Sequence, residues 1–317
     1  MTSNVCVIIP TWRGGDVIGD AIEAARNQTV EDIDILVSVD RSPDDTLELA
    51  ERLAAEDSRV RIIAHKERVG WVRNVNAALD MVQSPYFCLY FHDDIIQPSY
   101  IETLLARLEP ESKAVSAYCN VMRDQGSSQD ESLGRDYKGG ALTRMLDRLL
   151  LEQPGAPLRA LTRRHVLDQG LRIPEGSFHG FHAQQAYLLE LLAAGESLYE
   201  PSVLYRRRTW RPGALTKGWL EQSAETLFGD LVITAQRMKA TADRYLDAEP
   251  ERRFVRCATG LSLGSVWLHT ANRIGAPRMS LDPLFIDADP FEQFPDRWAE
   301  AALAHLRKIK PAMDQTS

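Results

Sequence analysis

The chain has 317 residues, of which 37 are Lys or Arg and 45 are Asp or Glu, so its formal net charge at pH 7 is −8. A hydrophobic fraction of 44% and a charged fraction of 26% are typical of a globular protein and exclude a disordered or fibrous chain. The acidic balance argues against nucleic acid as a partner, because that affinity depends on many basic contacts to phosphate. The four cysteines lie far apart, without the spacing of a zinc site or a disulfide framework, which favours a reducing compartment.

The sequence has no segment that predicts a membrane span. Its longest apolar stretch, Cys257–Ala271, is interrupted by polar residues and falls short of the ~20 apolar residues that a spanning helix needs. The short apolar run Val5–Pro10 does not resemble a signal peptide. We therefore expect a cytoplasmic protein, and peripheral contact with a membrane surface is compatible with that expectation.

The first 120 residues alternate short apolar runs with segments of helical periodicity. Five runs rich in β-branched or aromatic residues have the length and continuity of strands buried on both faces of a parallel sheet. They are Val5–Pro10, Ile33–Asp40, Val60–Ala64, Tyr86–Phe91 and Ala114–Val121. The alternation predicts an α/β fold with a Rossmann-like, mostly parallel sheet flanked by helices.

Beyond residue 121 the pattern becomes less regular. The polar segment Gln125–Gly140 is typical of a loop. Gln184–Ala194 predicts a helix that ends with Gly195 in the left-handed C′ position. Ser197–Arg208 predicts an edge strand, because Pro201 is disfavoured in a central one.

Three further helices are expected after Pro212. Apolar residues at helical spacing predict them over Ala224–Tyr245, over about Arg252–Arg273 and near Phe291–Arg307. We therefore expect a domain of residues 1–212 followed by a helical C-terminal extension of residues 213–317. This extension is a candidate for covering an acceptor, for contacts within a homo-oligomer or for resting on a membrane.

Ligands bind at the carboxyl ends of the strands in an open parallel α/β sheet. Four segments follow the first four predicted strands and are expected to meet there: Pro10–Asp16, Asp40–Thr46, His65–Leu79 and His92–Asp94. The last of them offers two carboxylates and an imidazole, a set that suits Mg²⁺ or Mn²⁺. In the simpler interpretation, Asp93 and Asp94 end the strand and cap the next helix.

The order and spacing of six segments resemble the family 2 glycosyltransferases of GT-A fold. The resemblance runs from Val5 to Arg208, about two thirds of the chain, with His92–Asp94 at the place of the family's D-x-D motif and His92 at the place of its first Asp. The segments are VIIPTWRGGDVIGDAIEAARNQT, VSVDRSPDDTLELA, RVGWVRNVNAAL, HDD with Pro98–Ile101, ALTRRHVLDQGL and LLAAGESLYEPSVLYRRR.

The resemblance implies a site for a nucleoside-diphosphate sugar on these loops. Its residues are Pro10, Thr11, Trp12, Asp40, Gly70, Trp71, Arg73, Asn74, His92 and Asp93. Trp12 would stack on the base or serve as a loop anchor, and Asp40 would accept an N–H of the base, which favours uracil. Arg73 would reach the sugar or diphosphate, or else form a surface salt bridge. Asp94, with His92, would ligate Mn²⁺ or Mg²⁺ between the two phosphates.

The resemblance also places a general base at the start of the helix that ends before Gly195, because inverting transfer needs a group that takes the acceptor's proton. Gln184 occupies the expected acidic position, and an amide is not a base at neutral pH. His182 or His179 can take the role, since an imidazole titrates near ~6.5, or both are ordinary loop residues. The candidate catalytic positions are therefore His182 and Gln184.

Other assignments remain open at this end of the protein. A shifted register would leave Glu175 or Glu190 as the base, although Glu190 lies mid-helix, where a solvated face is expected. An acceptor that needs no strong base is a further alternative. The run Arg206–Arg208 with Trp210–Arg211 either approaches an anionic group or forms a solvated basic edge.

Together these features predict a metal-dependent, inverting glycosyltransferase of the hexosyltransferase type, acting in polysaccharide biosynthesis. It would transfer a sugar from a UDP-sugar to a hydroxyl of a glycan, a lipid-linked saccharide or a small molecule. Gln184 supports an alternative, a catalytically impaired GT-A module that binds nucleotide sugar or glycan as a scaffold. A nucleotidyltransferase is the weakest alternative, since Arg13–Gly15 is a thin match to a phosphate-binding loop.

Overall fold

A computed structural model describes residues 3–124, 129–132, 134–151, 156–208, 218–219, 221–277, 279–289 and 292–314. The chain forms two compact units, each built from three segments that alternate along the sequence. The first contains Met1–Asp136, Pro154–Ile173 and Gly195–Leu215, and the second contains Tyr137–Gln153, Pro174–Ala194 and Thr216–Ser317. The expected boundary at residue 212 lies within 209–217, outside the described residues, and stays a prediction.

The first unit is built on one sheet to which nine described strands contribute, in the order β3-β2-β1-β4-β8-β6-β9-β5, with β7 paired to β6. The strands are β1 (Val5–Thr11), β2 (Ile33–Val39), β3 (Val60–Ala64), β4 (Tyr86–Leu89), β5 (Ile95–Ile96), β6 (Ala114–Asp124), β7 (Gln129–Ser132), β8 (Leu161–Arg163) and β9 (Glu196–Arg208). Its helices are α1 (Ile18–Arg26), α2 (Thr46–Glu56), α3 (Trp71–Asp80), α4 (Tyr100–Leu108) and α6 (His165–Asp168).

The predicted parallel α/β arrangement is confirmed for the first half of this sheet and corrected for the second. β1 pairs in parallel with β2 and β4, and β2 with β3, as the strand–helix alternation predicts. The sheet as a whole is mixed rather than mostly parallel, because β8 runs antiparallel to β4 and β6. Part of the predicted loop Gln125–Gly140 forms β7, which the short connection from β6 makes antiparallel.

β9 behaves as the edge strand that Pro201 predicts along most of its length. It pairs in parallel with β6, and the register shifts between Cys119 and Val121, beside Pro201. The Pro201 carbonyl accepts a hydrogen bond from Asn120 Nδ2 at 2.7 Å, which compensates for the interrupted ladder. β5 covers the other side of β9 only at Tyr205 and Arg206.

The second unit is helical. Its helices are α5 (Ala141–Leu150), α7 (Gln184–Ala194), α8 (Ala224–Tyr245), α9 (Glu249–Ile274) and α10 (Asp296–Met313). The predicted helices are confirmed, with α7 and α8 at the predicted bounds. Pro250 lies in the first turn of α9. Proline is tolerated there because an amide of the first turn has no hydrogen-bond acceptor within the helix. Within the described residues, no helix has the length and apolar character required to cross a bilayer.

Buried side chains of α5 hold the ends of two other helices. Arg144 donates to the carbonyl oxygens of Leu192 and Ala193, which satisfies the C-terminal end of α7. Asp147, only 4% exposed, accepts hydrogen bonds from Trp298 Nε1 at 2.8 Å and from Arg297 at 2.7 Å, and thereby fixes the first turn of α10.

Gly195 has a different role from the predicted left-handed cap, which is wrong. Its φ is not among the positive values of the chain. A Cβ there would lie 2.3 Å from Val115 Cγ1, so glycine is required by a close approach of backbone to side chain. Arg144 supplies the polar partners that a left-handed cap would otherwise give to the end of α7.

Two glycines within α9 make a matched test of packing in the helical unit. A Cβ at Gly260 would lie 2.4 Å from the buried Phe285 ring, whereas a Cβ at Gly264 would make ordinary contacts of 3.4 Å or more. We expect Gly260→Ala to lower the free energy of unfolding by about 1–3 kcal/mol through overpacking. We expect Gly264→Ala to raise it by up to about 1 kcal/mol through helix propensity. Urea denaturation measures both, and equal effects of the two substitutions would contradict this packing.

Candidate active site

The loop after β1 is held in place by side chains of the loop after β2. The amide of Arg13 donates to Ser42 Oγ at 2.9 Å, that of Gly14 to Thr46 Oγ1 at 2.8 Å, and that of Gly15 to an Asp44 carboxylate oxygen at 3.2 Å. Burial opposes the ionisation of Asp44, but hydrogen bonds from Thr46 and Gly15 lower its pKa overall. The first two carboxyl-end loops therefore form one preorganised element.

Pro10 and Thr11 end β1 with their carbonyl oxygens already engaged. The Pro10 carbonyl faces His92 Nδ1 at 3.1 Å, and the Thr11 carbonyl accepts from the Asp40 amide at 2.9 Å. Thr11 Oγ1 is a buried atom without a hydrogen-bond partner in the described part of the chain. The nucleotide contacts expected of Pro10 and Thr11 are backbone contacts, and they stay a prediction.

Trp12 lies between two arginines. The guanidinium of Arg68 stands 3.7 Å from the Trp12 ring centroid and that of Arg13 stands 4.6 Å from it, which is cation–π geometry. Burial, followed by the nearby charge of Arg13, lowers the pKa of Arg68. Trp12 Nε1 is also a buried donor with no partner among the described residues. The ring is therefore a loop anchor and at the same time part of a polar, cationic surface.

Asp40 organises the turn that precedes α3. It is 2% exposed, and its two oxygens accept hydrogen bonds from the amides of Val69 and Gly70 at 2.8 and 2.9 Å. Gly70 has φ +83°, which glycine adopts without strain. Each carboxylate oxygen can accept a second hydrogen bond, so this structural role leaves room for the predicted contact with a base.

Asn74 joins the carboxyl ends of β1 and β2. Its Nδ2 donates to the Ser38 carbonyl at 3.0 Å and to the Thr11 carbonyl at 3.4 Å, while its Oδ1 accepts from Ser38 Oγ at 2.6 Å. At 2% exposure the amide is used within the protein, which makes Asn74 a positioning residue for the site. Trp71, partly buried, and Arg73, exposed, occupy the first turn of the same helix α3.

His92 and Asp93 lie directly after β4, next to the first loop. A carbonyl oxygen only accepts, so His92 Nδ1 is the donor in the contact with Pro10. This is the arrangement in which a histidine serves as a metal ligand. The Asp93 side chain is partly exposed, and no hydrogen bond or ion pair to it is found among the described residues.

Asp94 is buried at the centre of a polar network. It is 1% exposed and accepts from Tyr205 Oη at 2.9 Å, from Arg159 at 3.2 Å and from the Arg208 amide at 3.2 Å. Burial raises its pKa, and the facing charge of Arg159 limits the rise. The Arg159 guanidinium also lies 5.1 Å from the ring centroids of Phe91 and Tyr205. With both oxygens engaged, Asp94 is placed as the structural support of the 92–94 segment.

The arginines at the end of β9 take different positions. Arg206 pairs with Asp124 at 2.7 Å, and Arg208 donates to the Asp93 carbonyl at 2.6 Å. The backbone of Arg207 pairs with Arg123 of β6, and no hydrogen bond or ion pair of its side chain is found within the described ranges. Arg207 is an exposed residue. Desolvation of its guanidinium and then the charge of Arg159 lower its pKa, and the charges of Asp94 and Asp93 oppose this shift. Arg207 is thus a cation that faces the carboxylates of this edge, while Trp210–Arg211 lie outside the described residues.

The donor set at this edge fits a divalent cation bound largely by a substrate. The described residues contain no cluster of three or more His, Cys, Asp or Glu side chains able to hold a metal on their own. Asp93 offers a carboxylate oxygen and His92 an oriented ring nitrogen. One or two protein ligands, completed by water and phosphate oxygens, are typical of Mg²⁺ at nucleotide sites.

The helical unit contains the other predicted positions. His182 has φ +56°, the left-handed region, and its ring stacks on Trp219 at 5.5 Å and meets Phe181 edge-on at 4.4 Å. The ring is partly exposed, while its Nδ1 is buried without a partner among the described residues. Desolvation and then the charge of Arg148 lower the pKa of His182 to about 4, so the ring is neutral at pH 7. Gln184 begins α7, and its Oε1 is likewise buried and unsatisfied within the described chain.

The alternative bases are distributed differently from the prediction. Glu190 is 2% exposed and pairs with Arg237 at 2.8 Å and Arg244 at 3.1 Å, so the expected solvated face is wrong. Both carboxylate oxygens of Glu190 are therefore engaged within the protein. The His179 carbonyl accepts from Trp219 Nε1 at 2.7 Å, and its ring contacts Phe178.

Within the first unit, the structure brings the four predicted carboxyl-end segments together through direct hydrogen bonds. Sequence reasoning missed Arg159, Tyr205 and Arg68, whose contacts join residues up to 111 positions apart and leave no local pattern. It also missed Trp219 and Asp230 in the second unit. The sequence marks Asp230 only as an acidic residue within an amphipathic helix, and Trp219 only as an aromatic residue before that helix.

Comparisons with known proteins bear on the family and the fold of the chain. An uncharacterised glycosyltransferase of Haemophilus influenzae is 30% identical over 138 residues, which cover 43% of this chain and 42% of that protein. Two further curated relatives are matched over 46% and 40% of their lengths, so the chain spans less than half of the relatives it matches.

Two solved structures share the fold. S. aureus TarS in complex with UDP-GlcNAc has a TM-score of 0.62 at 14% identity, with 89% of each chain covered. The mannosyltransferase PcManGT from Pyrobaculum calidifontis, in complex with GDP-Man and Mn²⁺, has a TM-score of 0.52 at 14% identity and covers 100% of this chain and 88% of that one. These likenesses establish a GT-A fold with a helical C-terminal region. Residues 6–171, just over half of the chain, match the model of glycosyl transferase family 2, and the protein belongs to that family.

Proposed function

We propose that this protein transfers a sugar from a nucleoside-diphosphate sugar, with UDP as the nucleotide, to a hydroxyl acceptor, and that it does so with a divalent cation. The observation that carries the proposal is the set of side chains at the carboxyl-end edge of the first unit's sheet. There the described residues include the carboxylate of Asp93, the imidazole of His92 and the guanidinium of Arg207, beside loops that hydrogen bonds hold in place. Such a set suits a diphosphate held through a metal.

The donor would be held by the first three loops. Trp12 presents an aromatic ring and an unsatisfied Nε1, and Thr11 an unsatisfied hydroxyl, which are the groups a base and a ribose need. Asp40 can accept one more hydrogen bond, and a carboxylate that accepts an N–H favours uracil. The UDP-GlcNAc and GDP-Man of the structural neighbours support the donor class and leave the base to be tested.

We assign the metal to Asp93 and His92 rather than to Asp94, the ligand expected from the sequence. Asp94 is buried and its oxygens already accept from Arg159, Tyr205 and the Arg208 amide. A bound divalent cation would neutralise the charge that develops on the departing diphosphate. Arg207, which is attracted by both carboxylates, would stabilise the same charge from β9.

On the acceptor side, His182 would take the proton of the hydroxyl whose oxygen forms the new bond to the anomeric carbon. The bond between that carbon and the phosphate oxygen breaks, and the nucleoside diphosphate leaves with the electron pair. The Trp219 stack and the left-handed backbone hold the imidazole, and its low pKa keeps a lone pair available at neutral pH. Gln184 would hydrogen-bond the acceptor through its unsatisfied Oε1.

A second candidate is supported by the same residues. An imidazole with a pKa of about 4 is a weaker base than an exposed histidine, and Gln184 replaces the expected acid. Both features are compatible with a module that binds a nucleotide sugar or glycan without transferring it.

A donor panel tests the proposal. We expect UDP-sugars with Mn²⁺ or Mg²⁺ to raise the melting temperature, since a ligand at 100 times its Kd stabilises the folded state by about 2.7 kcal/mol. Slow hydrolysis of the preferred donor should accompany binding. Chelation of the metal serves as the control, and should remove the shift. If no nucleoside diphosphate stabilises the protein in the presence of either metal, the proposal is wrong; binding without turnover on any acceptor favours the scaffold.

Replacing each of two adjacent carboxylates separates ligand from support. We expect Asp93→Asn to fold normally and to lose metal-dependent nucleotide binding. We expect Asp94→Asn to lower the free energy of unfolding by about 3–5 kcal/mol, because it leaves the charge of buried Arg159 without its partner. Calorimetric titration with UDP and Mn²⁺ and urea denaturation measure the two effects. Full metal-dependent binding in Asp93→Asn would return the ligand role to Asp94.

The pH dependence of kcat/KM tests the base. If His182 must be neutral, activity persists as the pH falls below ~6.5 and is lost only near its pKa of about 4, because Arg148 and desolvation disfavour the imidazolium. His182→Gln should abolish transfer, while His179→Gln, the matched control in the same loop, should retain it. Circular dichroism at each pH verifies folding. An acid limb near pH 6.5, or unchanged turnover in His182→Gln, would sink this assignment.

A further inference from the structure

One loop of the helical unit, Gly176–Ala183, is tied to a single buried carboxylate on α8. Asp230 is 3% exposed and accepts three hydrogen bonds from this loop. Its Oδ1 accepts from the Ser177 amide at 2.8 Å, and its Oδ2 accepts from Ser177 Oγ at 2.7 Å and from the Phe181 amide at 2.7 Å. The two amides enclose the turn that leads to His182.

In the described part of the chain, the donors to the Asp230 carboxylate all belong to this loop. Within the described chain, no Lys, Arg or His forms an ion pair with it, in contrast to Glu190 and Asp147 of the same unit. A buried carboxylate that has only neutral donors depends on all of them, because each lost hydrogen bond leaves part of the charge unsolvated. The loop and the carboxylate therefore adopt this arrangement together or not at all.

The backbone on both sides of the Phe181 amide has positive φ, and one of these two residues is the candidate base His182. Gly180 and His182 both have positive φ, +51° and +56°. Glycine tolerates this conformation, whereas a non-glycine residue there is held by its surroundings at a cost of about 1–3 kcal/mol. The Phe181 amide, between these two residues, is the group that Asp230 holds.

Trp219 completes the restraint from a second direction. Its Nε1 donates to the His179 carbonyl at 2.7 Å, and its ring stacks on His182 with an interplanar angle of 28°. The Ser177 hydroxyl, which donates to Asp230, also accepts from the His179 amide at 3.3 Å. The Phe181 amide and the His179 carbonyl before His182 are thus held by hydrogen bonds, and the His182 ring is held by its stack on Trp219. The Nδ1 of His182 has no hydrogen bond among the described residues.

We propose that Asp230 is a positioning residue for the loop that presents His182, so that the C-terminal helices build part of the acceptor-side machinery instead of only covering it. This inference rests on the proposed glycosyl transfer and names the group that orients its base. No contact between Asp230 and a substrate is involved. The role of the carboxylate is to set the direction of the imidazole, and misplacement of a catalytic group by about 1 Å can cost up to about 100-fold in rate.

The test compares Asp230→Asn with Asp147→Asn in the full chain. Both residues are buried carboxylates of the helical unit with two or three donors, but Asp147 holds α10 rather than the His182 loop. In Asp230→Asn the new amide group meets an N–H donor of the loop. We expect kcat for transfer to fall by up to about 100-fold, with the KM of the donor and the binding of UDP with Mn²⁺ unchanged. Asp147→Asn should lower the melting temperature without changing kcat.

A milder variant and a measurement independent of turnover complete the test. Ser177→Ala removes one of the three hydrogen bonds and should give a smaller loss of kcat. By NMR, the His182 ring signals should shift and the Phe181 amide should lose protection from hydrogen exchange in Asp230→Asn but not in Asp147→Asn. An unchanged loop in Asp230→Asn, or an equal loss of kcat in both variants, would overturn the inference. Absence of nucleotide binding by the unmodified protein would instead count against the proposed function, and the NMR comparison would still decide the role of Asp230.

Discussion

The carboxyl-end edge of the first unit's sheet depends on the ion pair between the buried Asp94 and Arg159. A carboxylate at 1% exposure is costly unless donors compensate it, and here Arg159, Tyr205 and the Arg208 amide do so. The same bonds connect the end of β4, the turn before β8 and the end of β9. Because Asp93 precedes Asp94 and Arg207 precedes Arg208, this network also sets where Asp93 and Arg207 lie, the two residues to which the proposed function assigns contacts with the metal and the diphosphate.

The same principle recurs at two other buried carboxylates. Asp40 holds the amides of Val69 and Gly70, and Asp230 holds those of Ser177 and Phe181. In each case charge-assisted hydrogen bonds from backbone amides to the carboxylate fix a turn that is distant in sequence. The acidic composition of the chain therefore serves loop geometry as much as ligand chemistry. A sequence comparison that assigns only a ligand contact to Asp40 would miss this structural role.

The sequence predicted what periodicity and strand order dictate. The apolar runs fix β1 to β4, and the spacing of apolar residues fixes α7 and α8, because burial alone determines both. The carboxyl-end rule gathered Trp12, Asp40 and His92 correctly around one edge. It could not separate Asp93 from Asp94, since that distinction depends on Arg159, which is 65 residues away. Nor could it foresee that Gly195 avoids Val115, or that Arg144 satisfies the end of α7.

The environment of His182 has a consequence for the balance of the reaction. The ring lies two residues before the N-terminal end of α7. Desolvation and then the charge of Arg148 lower its pKa and disfavour the imidazolium. General-base catalysis contributes about 10²–10⁴-fold when the pKa of the base is near the operating pH, and less when it is lower. A transferase with this base must obtain more of its rate from departure of the diphosphate. Under the proposed function, Arg207, Asp93 and His92 would be the residues that assist this departure.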